Sequence, residues 1–186
     1  MPQSIPTLQE LAFMYGTDKL DHGYIPFYER WLPEKPKKIL EIGVKEGKSI
    51  RTWLKYFPDA SIHGLDLFKE FPVPFQDERV TWHQGNQCDW ELLEQLRKED
   101  FDIIIDDGSH NARDQMITFY GLFNGKHYFI EDTHCNRDPF YSQGLPLSMT
   151  AFETFIYLNG RRPNDSGIVD IAYGENIILI KCSQNK

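Results

Sequence analysis

Two apolar runs that break off in carboxylates constrain this chain more than any other feature. Phe101-Asp-Ile-Ile-Ile-Asp-Asp-Gly-Ser-His110 and His127-Tyr-Phe-Ile-Glu-Asp-Thr-His134 each read as a buried strand with acid at its carboxyl end. In an open α/β sheet, ligands bind at that end of the strands. Asp107, Glu131 and Asp132 are therefore expected to share one crevice, with His110 beside them. Carboxylates that close repel one another unless a cation lies between them, and hard oxygen donors suit Mg²⁺, Mn²⁺ or Ca²⁺. One such strand end is an ordinary loop acid; two in succession favour a metal site.

The rest of the chain alternates strand and helix. Lys38–Gly43, Ser61–Leu67 and Val80–Gln84 are three further strands, and Tyr128–Ile130 is the apolar heart of the last acidic one. Helical spacing runs through Ser49–Tyr56, Trp90–Leu96, Arg113–Phe123 and Met149–Leu158. Ile168–Tyr173 and Asn176–Lys181 flank Gly174-Glu175, a β-hairpin signature. Repeated strand–helix units closing in a hairpin predict an α/β fold: a Rossmann-like three-layer sandwich with a mostly parallel seven-stranded sheet and an antiparallel C-terminal hairpin at its edge. Trp31, Trp53, Trp82 and Trp90 fall on strand or helix stripes and are expected in or near the core. Arg137–Tyr141 reads as a plain connection or an acceptor loop, and Arg161-Arg162 as a solvated pair in a turn.

The N-terminal part differs. Thr7–Tyr15 and Ile25–Leu32 have helical patterns on either side of the polar stretch Gly16-Thr-Asp-Lys-Leu-Asp-His-Gly-Tyr24. Residues 1–36 hold too few apolar side chains for a core of their own, so they are expected to form a helical cap, or substrate lid, on a domain at 37–186.

Composition narrows the function classes. A formal net charge of −8 argues against a nucleic-acid binder, which needs a basic footprint. The longest apolar runs are strand-length and far too short to span a membrane. The N-terminus lacks a basic stretch followed by an apolar one, and three widely spaced cysteines suggest free thiols. The expectation is a cytoplasmic protein.

Glu41-Ile-Gly-Val-Lys-Glu-Gly47 places a glycine turn between a strand and a helix, where a cofactor can approach backbone N–H groups. Gly43 and Gly47 are the only glycines there, so the GxGxxG of a dinucleotide site is absent, and a cofactor without phosphates at the turn fits better. Asp66 ends the next strand, where a carboxylate can accept ribose hydroxyls. Gly85-Asn-Gln87 ends the third, where amides could read a base edge.

With these motifs in order, the sequence resembles the class I S-adenosylmethionine-dependent methyltransferases, and more closely the metal-dependent sugar O-methyltransferases of the macrolide type. The resemblance rests on Tyr15-Gly-Thr-Asp-Lys19 with His22-Gly-Tyr24 and Tyr28, Glu41-Ile-Gly-Val with Gly47, Asp66, Asp107-Gly-Ser-His110 with Gln115, and Glu131-Asp132 with His134. It implies that Glu41, Gly43, Val44, Gly47, Ser49, Asp66, Gln87 and Asp106 bind S-adenosylmethionine. It further implies that Asp107, Glu131 and Asp132 hold Mg²⁺ or Mn²⁺, that His110 is the general base, and that His22, Tyr24 and His134 meet a sugar or glycan acceptor. The domain at 37–186 would then be the methyltransferase domain; a homo-oligomer is left open. Two departures stand out: Asn86 replaces an aspartate frequent in the family, and the further N-terminal domain of macrolide enzymes does not lie within these 186 residues. A phenol or catechol O-methyltransferase shares cofactor and metal but needs less help from a base, because its acceptor is already acidic. A non-catalytic S-adenosylmethionine-binding module would have no use for three carboxylates and a histidine.

Overall fold

A computed structural model describes residues 6–142 and 170–182. Seven strands form one sheet: β1 (Lys38–Ile42), β2 (Ser61–Asp66), β3 (Val80–Gln84), β4 (Ile103–Asp106), β5 (His127–Ile130), β6 (Asp170–Tyr173) and β7 (Ile178–Lys181), in the order β3-β2-β1-β4-β5-β7-β6. The pairings among β1 to β5 are parallel, and β7 pairs antiparallel with both β5 and β6. The C-terminal hairpin forms the expected antiparallel edge, with β7 on its inner side and β6 outermost. Ile178, Leu179 and Ile180 are all buried, so β7 has no face to offer water, while β6 ends in an exposed Tyr173. The strand apolar on both faces takes the interior position.

Side chains along each strand alternate between two cores. Ile39, Ile62, Ile103, Ile105, Phe129 and Leu179 face helices α1 (Leu8–Tyr15), α2 (Ile25–Trp31) and α3 (Lys48–Tyr56). Leu40, Ile42, Leu65, Ile104, Tyr128 and Ile130 face α4 (Trp90–Arg97) and α5 (Ala112–Leu122). This is the predicted three-layer sandwich.

The N-terminal helices have no core apart from the sheet's. Leu8, Ala12, Tyr24, Ile25 and Tyr28 join the cluster that holds Trp53 and Phe129. Helix α1 starts at a capping box between Thr7 and Glu10 and stops at Gly16, which takes the left-handed conformation. That stop turns the chain inward, toward the ends of β1, β4 and β5.

Trp53 is buried, and Trp31 and Trp82 pack partly buried against the same cluster. Trp90 departs from expectation. It is the first residue of α4 and 54% exposed, and the helix is buried through Leu93 and Leu96 further along. Arg137–Tyr141, read as a connection or an acceptor loop, runs from the end of a 3₁₀ helix (Thr133–Arg137) through an extended Asp138 into the short α6 (Pro139–Ser142). The expected helix at Met149–Leu158, the hairpin's first residues Ile168 and Val169, and Arg161-Arg162 lie outside the described residues. Cys88, Cys135 and Cys182 are free thiols. Among the described residues no helix is long and apolar enough to cross a membrane.

Candidate active site

The same alternation sorts the acids at the strand ends. Glu41 lies in register with Ile105, on the α1–α3 face, whereas Asp106 lies in register with Ile42 and Ile130, on the α4–α5 face. Asp107 and Glu131, one step beyond, return to the first face, where Lys19 meets all three acids of that side. Its Nζ stands 2.8 Å from Asp107 Oδ2, 2.8 Å from Glu131 Oε2 and 3.2 Å from Glu41 Oε1. Lys19 is 1% exposed. Burial pulls its pKa down, but Asp107, Glu131 and Glu41 outweigh that and hold it well above the ordinary lysine value.

Each remaining oxygen of the two buried glutamates has its own donor. Trp53 Nε1 donates to Glu41 Oε2 at 2.8 Å, and the Tyr28 hydroxyl donates to Glu131 Oε1. Glu41 Oε1 faces the ammonium at ion-pair distance, and the Ser49 side chain also bonds the Glu41 carboxylate. Burial pushes both glutamates upward in pKa, against the pull of Lys19. One ammonium among these carboxylates leaves a surplus of negative charge in a poorly solvated place.

Asp132 forms the outer part of the centre, and four expected side chains converge on it. Tyr24 donates its hydroxyl to Asp132 Oδ1 at 2.7 Å and accepts from the Asp132 N–H at 3.2 Å. Burial and then the Asp132 bond raise the Tyr24 pKa, so the phenol stays protonated. The Nδ1 atoms of His22, His110 and His134 lie 3.8, 3.6 and 3.8 Å from Asp132 oxygens. Ligand atoms of Asp107, His110 and Asp132 all lie within 4.8 Å of one another. Among the described residues, His110 Nδ1 is buried and has no hydrogen-bond partner. Asp132 and His110 also take positive φ, 52° and 58°, a region that non-glycine residues occupy only where their surroundings hold them.

Next to this centre, a cavity of about 380 Å³ opens over the ends of β1, β2 and β3. Gly43, Asp66 and Gln87 line it, and Asp107 and Gly108 form its border with the acidic centre. Gly43 has φ +84°, and a Cβ there would stand 1.9 Å from the Asp107 carbonyl oxygen, so only glycine lets β1 and β4 end this close together. Asp66 Oδ2 accepts from Val44 N at 2.7 Å and Lys45 N at 2.9 Å, which pins the glycine turn. Its Oδ1 has only a 3.4 Å contact with Phe68 N. A smaller cavity of about 210 Å³ adjoins the turn, lined by Val44, Ser49, Asp18 and Asp107 among others.

Three expected cofactor residues sit elsewhere. Asp106 is fully buried on the α5 face, accepting from Gln87 Nε2 at 3.3 Å and Tyr128 at 3.1 Å, and burial lifts its pKa to about 7. Glu41 belongs to the Lys19 network. Gly47 caps α3 in the left-handed conformation against Pro74 and Phe75. Gln87 does line the cavity, but its side chain is engaged as a brace: Oε1 accepts from Ser109 N at 2.7 Å and Nε2 donates to Thr118 at 3.0 Å.

Lys19 and Tyr28 belong to the sequence motifs without a task of their own there, and Asp114 is not among them. Asp114 lines the larger cavity and accepts from Ser109 Oγ at 2.7 Å. For Lys19 the available signal was its place between the helix-stopping Gly16 and His22. Nothing in the sequence flagged Asp114, which lies in the first turn of α5.

No protein-family model matches the chain. It is 36% identical over 143 residues to the 8-demethyl-8-(2-methoxy-alpha-L-rhamnosyl)-tetracenomycin-C 3'-O-methyltransferase of Streptomyces olivaceus, a match covering 67% of this chain and 36% of that protein. It is 35% identical over 145 residues to the mycinamicin VI 2''-O-methyltransferase of Micromonospora griseorubida, covering 68% and 36%. Among solved structures, the MycE methyltransferase from the mycinamycin biosynthetic pathway, in complex with Mg and SAH, matches with a TM-score of 0.81 at 29% identity, over 95% of this chain and 54% of that one. The chain thus spans little more than a third of the curated relatives and about half of the solved one.

Proposed function

Because the chain belongs to the macrolide-type sugar O-methyltransferases, within the class I S-adenosylmethionine-dependent family, we propose that it transfers the sulfonium methyl of S-adenosylmethionine to a sugar hydroxyl. The observation that carries this reading is the shared border at Asp107: a cofactor-sized cavity on one side and a histidine-ringed acidic centre on the other.

In this proposal Gly43 and Val44 admit the cofactor to the backbone of the turn, and Asp66 offers Oδ1 to its ribose. Gln87 shapes the floor of the cavity rather than reading the base. The donor set fits a hard divalent ion, Mg²⁺ or Mn²⁺: the Asp107 and Asp132 carboxylates converge there, and His110 stands beside them. Such an ion would supply a Lewis acid that makes a sugar hydroxyl more acidic. Glu131, which the family resemblance counts as a ligand, supports the site from below through Lys19 and Tyr28.

His110 is the proposed base. A neutral imidazole there could take the hydroxyl proton, and Asp132, 3.6 Å from Nδ1, would stabilise the imidazolium that results. His22, Tyr24 and His134 would orient the sugar around Asp132. The methyl carbon then needs only in-line placement, so catalysis is mostly proximity and orientation.

The test is incubation with methyl-labelled S-adenosylmethionine and a panel of rhamnosides and related glycosides. Label should reach the sugar with Mg²⁺ present and stay on the cofactor in EDTA. Undiminished transfer in exhaustively chelated enzyme would overturn the metal's role.

A further inference from the structure

We propose that Lys19 fills a second cation position beside the metal site, so that the acidic centre takes one divalent ion where its carboxylates could hold two. The first ion rests on the functional reading above; the second position rests on the Lys19 contacts themselves.

Three carboxylates from the ends of three adjacent strands each direct one oxygen at the Lys19 ammonium: Glu41 Oε1 from β1, Asp107 Oδ2 beyond β4 and Glu131 Oε2 beyond β5. The second oxygen of each glutamate is braced by a separate donor, Trp53 or Tyr28, so neither carboxylate is free to swing away. Glu41 is 0% exposed, and its Oε1 meets the ammonium at 3.2 Å, the longest of the three contacts. Buried oxygens braced from behind and converging on one point make a ligand set for a hard cation. The lysine supplies a single positive charge against three carboxylates.

The oxygen–nitrogen distances of 2.8 to 3.2 Å exceed the spacing of about 2.1 Å that a small divalent ion takes with oxygen. The carboxylates would have to close in by something on the order of an ångström or less to ligate such an ion. The ammonium arrives on the polar loop between α1 and α2, so the cap delivers to the site a charge that solution would otherwise provide. Lys19 is on this account a positioning residue: it holds Asp107 and Glu131 in place and keeps a second ion out.

The experiment compares Lys19→Ala, which empties the position, with Lys19→Met, which removes the charge but keeps the bulk. Mn²⁺ binding is counted by calorimetry and by electron paramagnetic resonance. Lys19→Ala should bind one Mn²⁺ more than the parent, with the spin coupling of a close pair, while Lys19→Met should not gain an ion. A parent that binds none and an alanine variant that binds one would sink the proposed metal site but sustain the role of Lys19. If the alanine variant is too unstable to titrate, its melting temperature is followed against Mn²⁺. A rise with Mn²⁺ larger than that of Lys19→Met supports the proposal. An alanine variant with the parent's ion count, or an equal response of both variants' melting curves to Mn²⁺, overturns it.

Discussion

Along β1, β2 and β3 the crevice is shaped by backbone and by a glycine turn, whereas along β4 and β5 it is shaped by buried charge. Asp66, which pins the turn, reaches Val44 and Lys45, 22 and 21 residues away. Lys19, which organises the acidic side, reaches Asp107 and Glu131 across 88 and 112 residues. The first half is a local device that a strand–turn–helix unit makes almost alone. The second exists only once the cap, β1, β4 and β5 have all come together. On the proposed function, the chain should bind its cofactor with one half and do its chemistry with the other.

The sharpest way to break that division is Asp132→Ala. It removes the carboxylate on which Tyr24 and three histidines converge and should abolish methyl transfer, while S-adenosylmethionine affinity, read by calorimetry, stays near the parent's. A parallel loss of cofactor binding would merge the two halves into one.

His110→Ala should lower turnover by roughly two to four orders of magnitude with divalent-ion affinity preserved, as expected for a base. If ion affinity falls with turnover, His110 is a ligand, as its place beside Asp107 and Asp132 also permits.

Gly43→Ala should damage both halves, because the new methyl runs into the Asp107 backbone from a left-handed position. A loss of about 1–3 kcal/mol in stability is expected from the backbone strain alone, measured by denaturant unfolding.

Asp66→Ala should weaken S-adenosylmethionine by roughly 1–3 kcal/mol, through the ribose and through the turn it pins, and leave ion binding untouched. Unchanged cofactor affinity would move the ribose contact elsewhere.

The smallest effect lies outside the crevice. Burial, and then the neighbouring His83, depress the His63 pKa to about 4, from an ordinary value of 6.5. The folded state therefore binds fewer protons than the unfolded one between those values, and stability should fall as pH drops from about 6.5 toward 4. His63→Leu should flatten that acid limb in melting curves taken from pH 7 to 4.5, and an unaltered limb would assign it to other groups.

What could be read from the sequence follows the same division. Strand runs, helix stops and the hairpin are signalled within ten residues or so, and they appear in the structure close to where they were expected. The glycine turn and Asp66 were legible for the same reason. The period-2 alternation had more to give: it separates Asp106 from Asp107, and with it Asp106 could have been assigned to the α5 face. Lys19 was not legible as a counter-charge, because its partners are set by how the cap docks on the sheet, and no local pattern encodes that. The inner place of β7 likewise depends on which strand of a hairpin pairs with β5, a tertiary choice that its all-apolar sequence favours but does not announce.

The most direct test of the divided crevice is calorimetric titration of S-adenosylmethionine into the protein in EDTA and again in Mg²⁺, with methyl transfer to glycosides assayed on the same samples. The account predicts similar cofactor affinity in both and transfer in Mg²⁺ alone. No heat with S-adenosylmethionine, together with tight binding of NAD, would contradict it.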